Sequence, residues 1–281
     1  MAKLTVRAKE QKQFVKLFSE VCHWNSPWER WNDMITMFAI EIANPLDTVN
    51  REARNELYAS IARKYSPEEM IRFAGLFAEM VTQLELHPFQ DFLGSMYMEL
   101  ELGNDHAGQF FTPYNVCKMM AETQVTEVVA QHIQDHGYIS INDPACGGGA
   151  TLIAAAGALH EMEIDWQNKA YFIGQDLDTT VAMMCYVQLS LIGCAGYVRI
   201  GDTLTNPPTG DLLLGEGTPN VWYFPMTFLS REWQDRIIGR HLMRVIRSIP
   251  MPEPKQIIKE EPKDVRSVPD SGAGIQLSFF D

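Results

Sequence analysis

The sequence has no run of about 18 apolar residues, the length that a membrane-spanning helix needs. It also has no Cys-x-x-Cys pair among its five cysteines, Cys22, Cys117, Cys146, Cys185 and Cys194. An odd count without paired spacing argues against a disulfide framework or a zinc site, so no metal is expected and a reducing cytoplasm is the expected compartment. The first residues, MAKLTVRAKEQKQF, are basic but lead into no apolar stretch, which argues against a signal peptide. Positive charge is scarce: 23 Lys and Arg stand against 36 Asp and Glu, a formal net charge of −13. Gripping nucleic acid by the protein's own field requires a basic surface, so that mode is not expected. Repeats are absent as well. What is present is 46% hydrophobic residues in a chain of 281, enough for a sizeable buried core.

The charge is unevenly distributed. Residues 101–221 hold three basic and 14 acidic side chains, whereas 222–281 hold nine basic and eight acidic. Residues 1–100 show apolar side chains at three- and four-residue spacing, as in Trp31, Met34, Ile35, Phe38 and Ala39, and predict a helical N-terminal domain. Asn44-Pro45 should break one helix, and Ser66-Pro67-Glu68-Glu69 supplies a cap, a first-turn proline and first-turn acids for the next. From about 113 a helical stretch to about 135 leads into Tyr138–Ile141, a short β-branched run. Helices over Ala150 to about Met162 and Thr179–Leu191 then alternate with strands at Tyr171–Ile173 and Tyr197–Ile200. Such alternation predicts an α/β fold of parallel βαβ units.

The segment Asn142-Asp143-Pro144-Ala145-Cys146-Gly147-Gly148-Gly149-Ala150-Thr151 links the first strand to its helix. Consecutive glycines let backbone approach a ligand without Cβ clashes, and the following helix N-terminus offers free N–H groups. No Lys follows as in a P-loop, and the spacing is not GxGxxG. Gly174-Gln175-Asp176-Leu177-Asp178 ends the second strand, where a carboxylate can accept two ribose hydroxyls. Gly201-Asp202-Thr203-Leu204 ends the third, where Asp202 could meet an adenine amino group. Three loops at the carboxyl ends of successive strands converge on one crevice.

These motifs resemble those of adenine-N6 DNA methyltransferases, in particular the methylase subunit of type I restriction–modification systems. DPACGGG is similar to that family's DPACGSG, Gly108-Gln109-Phe110-Phe111-Thr112-Pro113 resembles the motif preceding it, and GQD and GDTL follow in the family's order. The resemblance covers roughly 85–205 well and 1–85 only in helical character. It implies a Rossmann-like class I methyltransferase core over 101–248 and binding of S-adenosylmethionine. Phe110, Phe111, Thr112 and Pro113 would wall the methionine end. Asp143, Pro144, Ala145, Gly147 and Gly149 would hold its amino and backbone side, Asp176 and Leu177 would lie at the ribose, and Asp202 at the adenine. Cys146 reads as a small packed group. The implied activity is methyl transfer to adenine N6 in DNA, with the target base flipped into a pocket.

The family holds the target amino group with [DN]-PP-[YFW]. This chain has Asn206-Pro207-Pro208-Thr209, which lacks the aromatic and comes only four residues after Asp202, so the same residues also read as a turn. Trp222-Tyr223-Phe224 could supply the stacking ring or belong to the core. Few strand signals follow residue 205, which predicts a truncated sheet and leaves open a protein that binds cofactor without transferring the methyl group. Methylation of a protein glutamine is a weaker alternative. A helix over about 225–248 would align Arg236, Arg240, Arg244 and Arg247 on one face, either solvated or contacting phosphates. Residues 249–275 read as a flexible linker. The tail residues Gln276, Leu277, Phe279 and Phe280, within 276–281, resemble the peptide by which bacterial proteins dock on the replication sliding clamp. Such docking, or a specificity subunit, would bring an acidic chain to DNA by tethering.

Overall fold

The computed structural model describes residues 12–102, 111–209, 211–213 and 220–248, together with the backbone of 276–278. A first helix, α1, covers 12–19. It is followed by α2 (Pro27–Ala43), α3 (Arg51–Ala62), α4 (Pro67–Leu86) and α5 (Phe92–Glu99). The starts of α2 and α4 are set locally. Ser26 with Glu29, and Ser66 with Glu69, form capping boxes in which side chain and backbone satisfy each other's free donors, each followed by a first-turn proline. Asn44-Pro45 ends α2 as the sequence predicts.

The α/β part runs α6 (Tyr114–Gln124), α7 (Glu127–His136), β1 (Ile139–Asp143), α8 (Ala150–Glu161), α9 (Trp166–Lys169), β2 (Ala170–Asp176), α10 (Thr179–Ile192) and β3 (Ala195–Ile200). The single helix expected over 113–135 is two, divided at Val125-Thr126. After β3 come β4 (Val221–Tyr223), α11 (Met226–Leu229), α12 (Arg231–Ser248) and β5 (Gln276–Ser278). The sheet order is β4-β3-β2-β1-β5. Strands β1, β2 and β3 are parallel, β4 is antiparallel at one edge, and β5 lies parallel to β1 with Ile141 opposite Leu277. This is a Rossmann-like α/β core with a short sheet. Among the described residues, no strand lies between β3 and β4.

Each sheet face packs into its own core. Ile139, Ile141, Phe172 and Val198 share one continuous cluster with α8, α10 and the N-terminal helices. Tyr171, Ile173, Tyr197, Val221 and Leu212 form the second, closed by Trp233 of α12. Helix α10 has 11 of its 14 residues buried because it lies between the sheet and the N-terminal helices. A helix enclosed on all sides loses its amphipathic stripe. The helical region is joined directly to the sheet layer. The Trp31 indole N–H donates to Met184 Sδ at 3.4 Å, and the Thr180 hydroxyl to Asn32 Oδ1 at 2.8 Å.

Arg54 makes a further joint. It pairs with Asp47 at 2.8 Å with both side chains buried, and its guanidinium lies 4.1 Å from the Trp222 ring centroid. Removing one member of a buried pair leaves an uncompensated charge, which costs about 3–5 kcal/mol. Arg54→Ala is therefore expected to lower unfolding free energy by that amount in urea denaturation. A loss below about 1 kcal/mol would show that the joint is not structural.

Candidate functional site

The glycine-rich turn between β1 and α8 forms one wall of a cavity of about 180 Å³. Asp143, Ala145, Cys146, Gly147, Gly148, Ala150 and Thr151 line it from this turn, Asp176 from the end of β2 and Val181 from α10. Phe111, Thr112, Cys117 and Asp91 close it from the N-terminal side. Gly147 has φ +49°, and a Cβ there would stand 3.3 Å from the Phe111 ring. Gly149 has φ +93°, and its Cβ would meet Cys185 Sγ at 2.9 Å. The left-handed backbone disfavours a side chain at both positions, and at Gly149 the packed Cys185 thiol blocks one as well.

Side chains pin the turn. Asp143 Oδ1 accepts the Ala145 N–H at 3.0 Å, and its Oδ2 accepts the Thr151 hydroxyl. Asp176 Oδ2 accepts the Gly147 N–H at 2.8 Å, and its Oδ1 the Asp178 N–H at 2.9 Å. Gln188, fully buried on α10, donates to Gly148 O at 2.9 Å and to Asp91 Oδ1 at 3.0 Å, while its own oxygen accepts the Leu93 N–H. Asp91 also caps α5 through the Gly94 N–H at 2.9 Å. Local sequence marks Asp91 only as a cap, so neither its partner 97 residues away nor its place at the cavity is readable from spacing.

Burial raises the carboxyl groups of Asp91, Asp143 and Asp176 above the ordinary carboxylate range. Hydrogen bonds to their oxygens only partly offset this. No Lys, Arg or His is among the described lining residues. Cys146 is a packed group. Its thiol hydrogen-bonds that of Cys185, and this contact together with burial raises it well above an ordinary thiol.

The structure gathers Phe111, Thr112, Asp143, Ala145, Gly147 and Asp176 at the cavity. Phe110 lies outside the described residues. Pro113 is exposed before α6, Leu177 is 74% exposed, and Gly149 caps α8 behind the lining. Pro144 uses its carbonyl to accept the Thr203 hydroxyl at 2.6 Å. Asp202 is exposed, with Oδ1 accepting the Leu204 N–H.

Asn206, Pro207 and Pro208 do not line the cavity. They follow the β3 end, where Arg199 Nη1 donates to Asn206 Oδ1 at 3.0 Å and Gln175 Nε2 to Asn206 O at 3.1 Å. The three aromatics beyond them are structural. Trp222 packs on Arg54 and Tyr186, Tyr223 on Tyr197 and Phe228, and Phe224 is fully buried. On the arginine face of α12, Arg236 turns toward the protein, whereas Arg240, Arg244 and Arg247 are exposed, as a solvated face would have them. Arg236 donates to Asn168 O and Gly137 O, Arg240 to the Tyr138 hydroxyl, and Arg244 to Asp211. Phe279 and Phe280 lie outside the described residues, and the backbone of Gln276 and Leu277 pairs with β1. No group of three or more His, Cys, Asp or Glu that could hold a metal occurs among the described residues. Nor does any described helix have the length and apolarity to cross a membrane.

A turn of this kind at the carboxyl ends of parallel strands, with acids on two successive strand ends, lies where open α/β sheets bind ligands. Residues 90–216 match the family described as N-6 DNA Methylase, just under half of the chain. Over that stretch the chain resembles adenine-N6 DNA methyltransferases, as the order of its motifs implied. No curated protein matches it. Among solved structures it is similar to the type I restriction–modification methyltransferase subunit from Streptococcus thermophilus, at 19% identity and TM-score 0.35, covering 59% of this chain and 35% of that one. It is also similar to a chain of the DrdV–DNA complex, at 17% identity and TM-score 0.40, covering 73% of this chain and 23% of that one. The chain thus spans about a third or less of these proteins, and likeness at this level carries no argument about activity.

The buried acids give a pH test. A carboxyl raised in the folded state binds its proton more tightly there than in the unfolded chain, whose value is about 3.9. Its contribution to stability is complete below that value and is lost as pH rises through the folded-state value. Asp91→Asn should therefore gain stability relative to the ligand-free wild type as pH rises from 4 to 7. A difference in thermal midpoint that stays constant over this range would contradict the burial argument.

Proposed function

We propose that the chain binds S-adenosylmethionine in the acidic cavity and transfers its methyl group to adenine N6 in DNA. The observation that carries the cofactor reading is electrostatic: two buried carboxylates, Asp91 and Asp143, and the partly buried Asp176 line one cavity, with no cation among its described lining residues. Such a cavity favours a ligand with positive charge. S-adenosylmethionine supplies a sulfonium-bound methyl group and carries an ammonium besides. The cavity volume is below the usual range for a pocket enclosing a whole ligand, so it suits the charged end. Phe111 and Thr112 would wall that end, beside the turn held by Asp143 and Asp176. Each carboxylate oxygen has two acceptor sites, so Asp176 retains capacity for ribose hydroxyls after taking the Gly147 and Asp178 N–H groups.

The adenine target rests on the family match and on Asn206-Pro207-Pro208. In this reading Asn206 Oδ1 and a backbone carbonyl accept the two amino hydrogens of the flipped base, with Asn206 Oδ1 sharing its acceptor sites between Arg199 and the base. Orientation of this kind, with preorganised acceptors, is where the rate would come from. The acidic chain would reach DNA with help from a specificity subunit or another protein, in the cytoplasm that five free cysteines suit. A second reading, cofactor binding without methyl transfer, is favoured by those same occupied acceptors of Asn206. Labelled S-adenosylmethionine with DNA should yield methylated adenine, and Asn206→Ala should lower the rate about a hundredfold or more with cofactor affinity kept. Cofactor binding with no incorporation on any DNA or with any partner subunit would select the second reading.

The C-terminal tail is proposed to dock on the sliding clamp through Gln276, Leu277, Phe279 and Phe280. Docking would compete with β5, which uses the backbone of Gln276–Ser278 beside β1. Deleting 276–281 should abolish retention of this protein on immobilised clamp, and equal retention would refute the docking.

A further inference from the structure

Six carboxylate oxygens belong to the three acids of the cavity, and five have partners. Asp143 spends its pair on the Ala145 N–H and the Thr151 hydroxyl, and Asp176 on the Gly147 and Asp178 N–H groups. Asp91 Oδ1 accepts from Gly94 and from Gln188. Asp91 Oδ2 accepts no hydrogen bond from any described residue, although Asp91 is only 5% exposed and lines the cavity. Its orientation is fixed from three sides, by the α5 cap, by Gln188 on α10 and, through the same Gln188, by the carbonyl of Gly148. Asp91 thus lines the cavity with Oδ1 held by two bonds and Oδ2 without a partner among the described residues.

We propose that Asp91 is a ligand-binding residue whose Oδ2 receives an N–H of a primary ammonium group, the charged amino-acid end of the ligand that this cavity takes. A sulfonium has positive charge but no hydrogen to donate, so it cannot satisfy the vacant oxygen. An ammonium has both. The assignment rests on the cofactor reading above. It adds to Asp143, whose two oxygens each accept one bond from the turn, an anchor for the amino group at a residue before the glycine motif in the helical region.

The test uses the full chain and three ligands. S-adenosylmethionine carries ammonium and sulfonium, S-adenosylhomocysteine carries ammonium only, and methylthioadenosine carries neither. Asp91→Asn keeps an acceptor for the α5 cap and removes the charge. Asp91→Ser keeps a capping hydroxyl as a second variant should the first fail to fold. By calorimetry each variant should bind the first two ligands about tenfold or more weaker, the value of a charge-assisted bond, with methylthioadenosine changed less than about twofold. Equal loss for all three ligands would mean that Asp91 only shapes the turn. Loss for S-adenosylmethionine alone would assign the sulfonium instead. Unchanged affinities would remove Asp91 from the site, and each of these three results overturns the proposal. If wild-type protein binds none of the three, the cofactor reading itself fails, and the assignment of Asp91 falls with it.

Discussion

The turn that carries Gly147, Gly148 and Gly149 has almost no side chains of its own to hold it, so its shape depends on groups brought from elsewhere. Asp176 comes from β2 and takes the Gly147 N–H, and Gln188 comes from α10 and takes the Gly148 carbonyl. Asp143, at the start of the turn, binds forward to Ala145 and Thr151. Glycine makes the turn sterically possible, and these bonds select one conformation among those it permits. The cavity is the space left between a turn pinned in this way and the N-terminal wall of Phe111 and Asp91.

Gln188 links this local constraint to the wider architecture. It is buried on a helix that is itself enclosed between the sheet and the N-terminal helices, and it bonds at once to the turn, to Asp91 and to the Leu93 backbone. The N-terminal helices therefore act as part of the site. They cover α10, and α5 delivers a carboxylate to the cavity through its cap. A loosened N-terminal layer would be felt at the glycine turn through a single amide side chain.

Features that depend on neighbours in sequence were legible in it. The capping boxes at Ser26 and Ser66, the break at Asn44-Pro45, the three parallel strands and the glycine turn all follow from residues within a few positions of one another. The cavity walls from Phe111 to Asp176 were legible because strand ends and motif order are one-dimensional signals. Asp91 was not, since its capping role is all that the local sequence displays and its partner Gln188 is distant. The arginine stripe of α12 illustrates the same limit. Its periodicity is real, but periodicity does not say which face meets the protein, and here Arg236 is drawn inward by the Gly137 and Asn168 carbonyls and the Tyr138 and Trp233 rings. Trp222, an apparent stacking ring, is already taken by Arg54.

The placement of Asn206 follows from the same topology. In a sheet with no described strand between β3 and β4, the residues after Asp202 remain at the β3 end. The polar groups available there are Arg199, on β3 itself, and Gln175, opposite it on β2. An amide with two acceptors in that position is captured by those donors, because unpaired buried donors are costly. Asn206 itself is exposed, whereas Arg199 is buried, so loss of Asn206 as a partner would return that cost to Arg199.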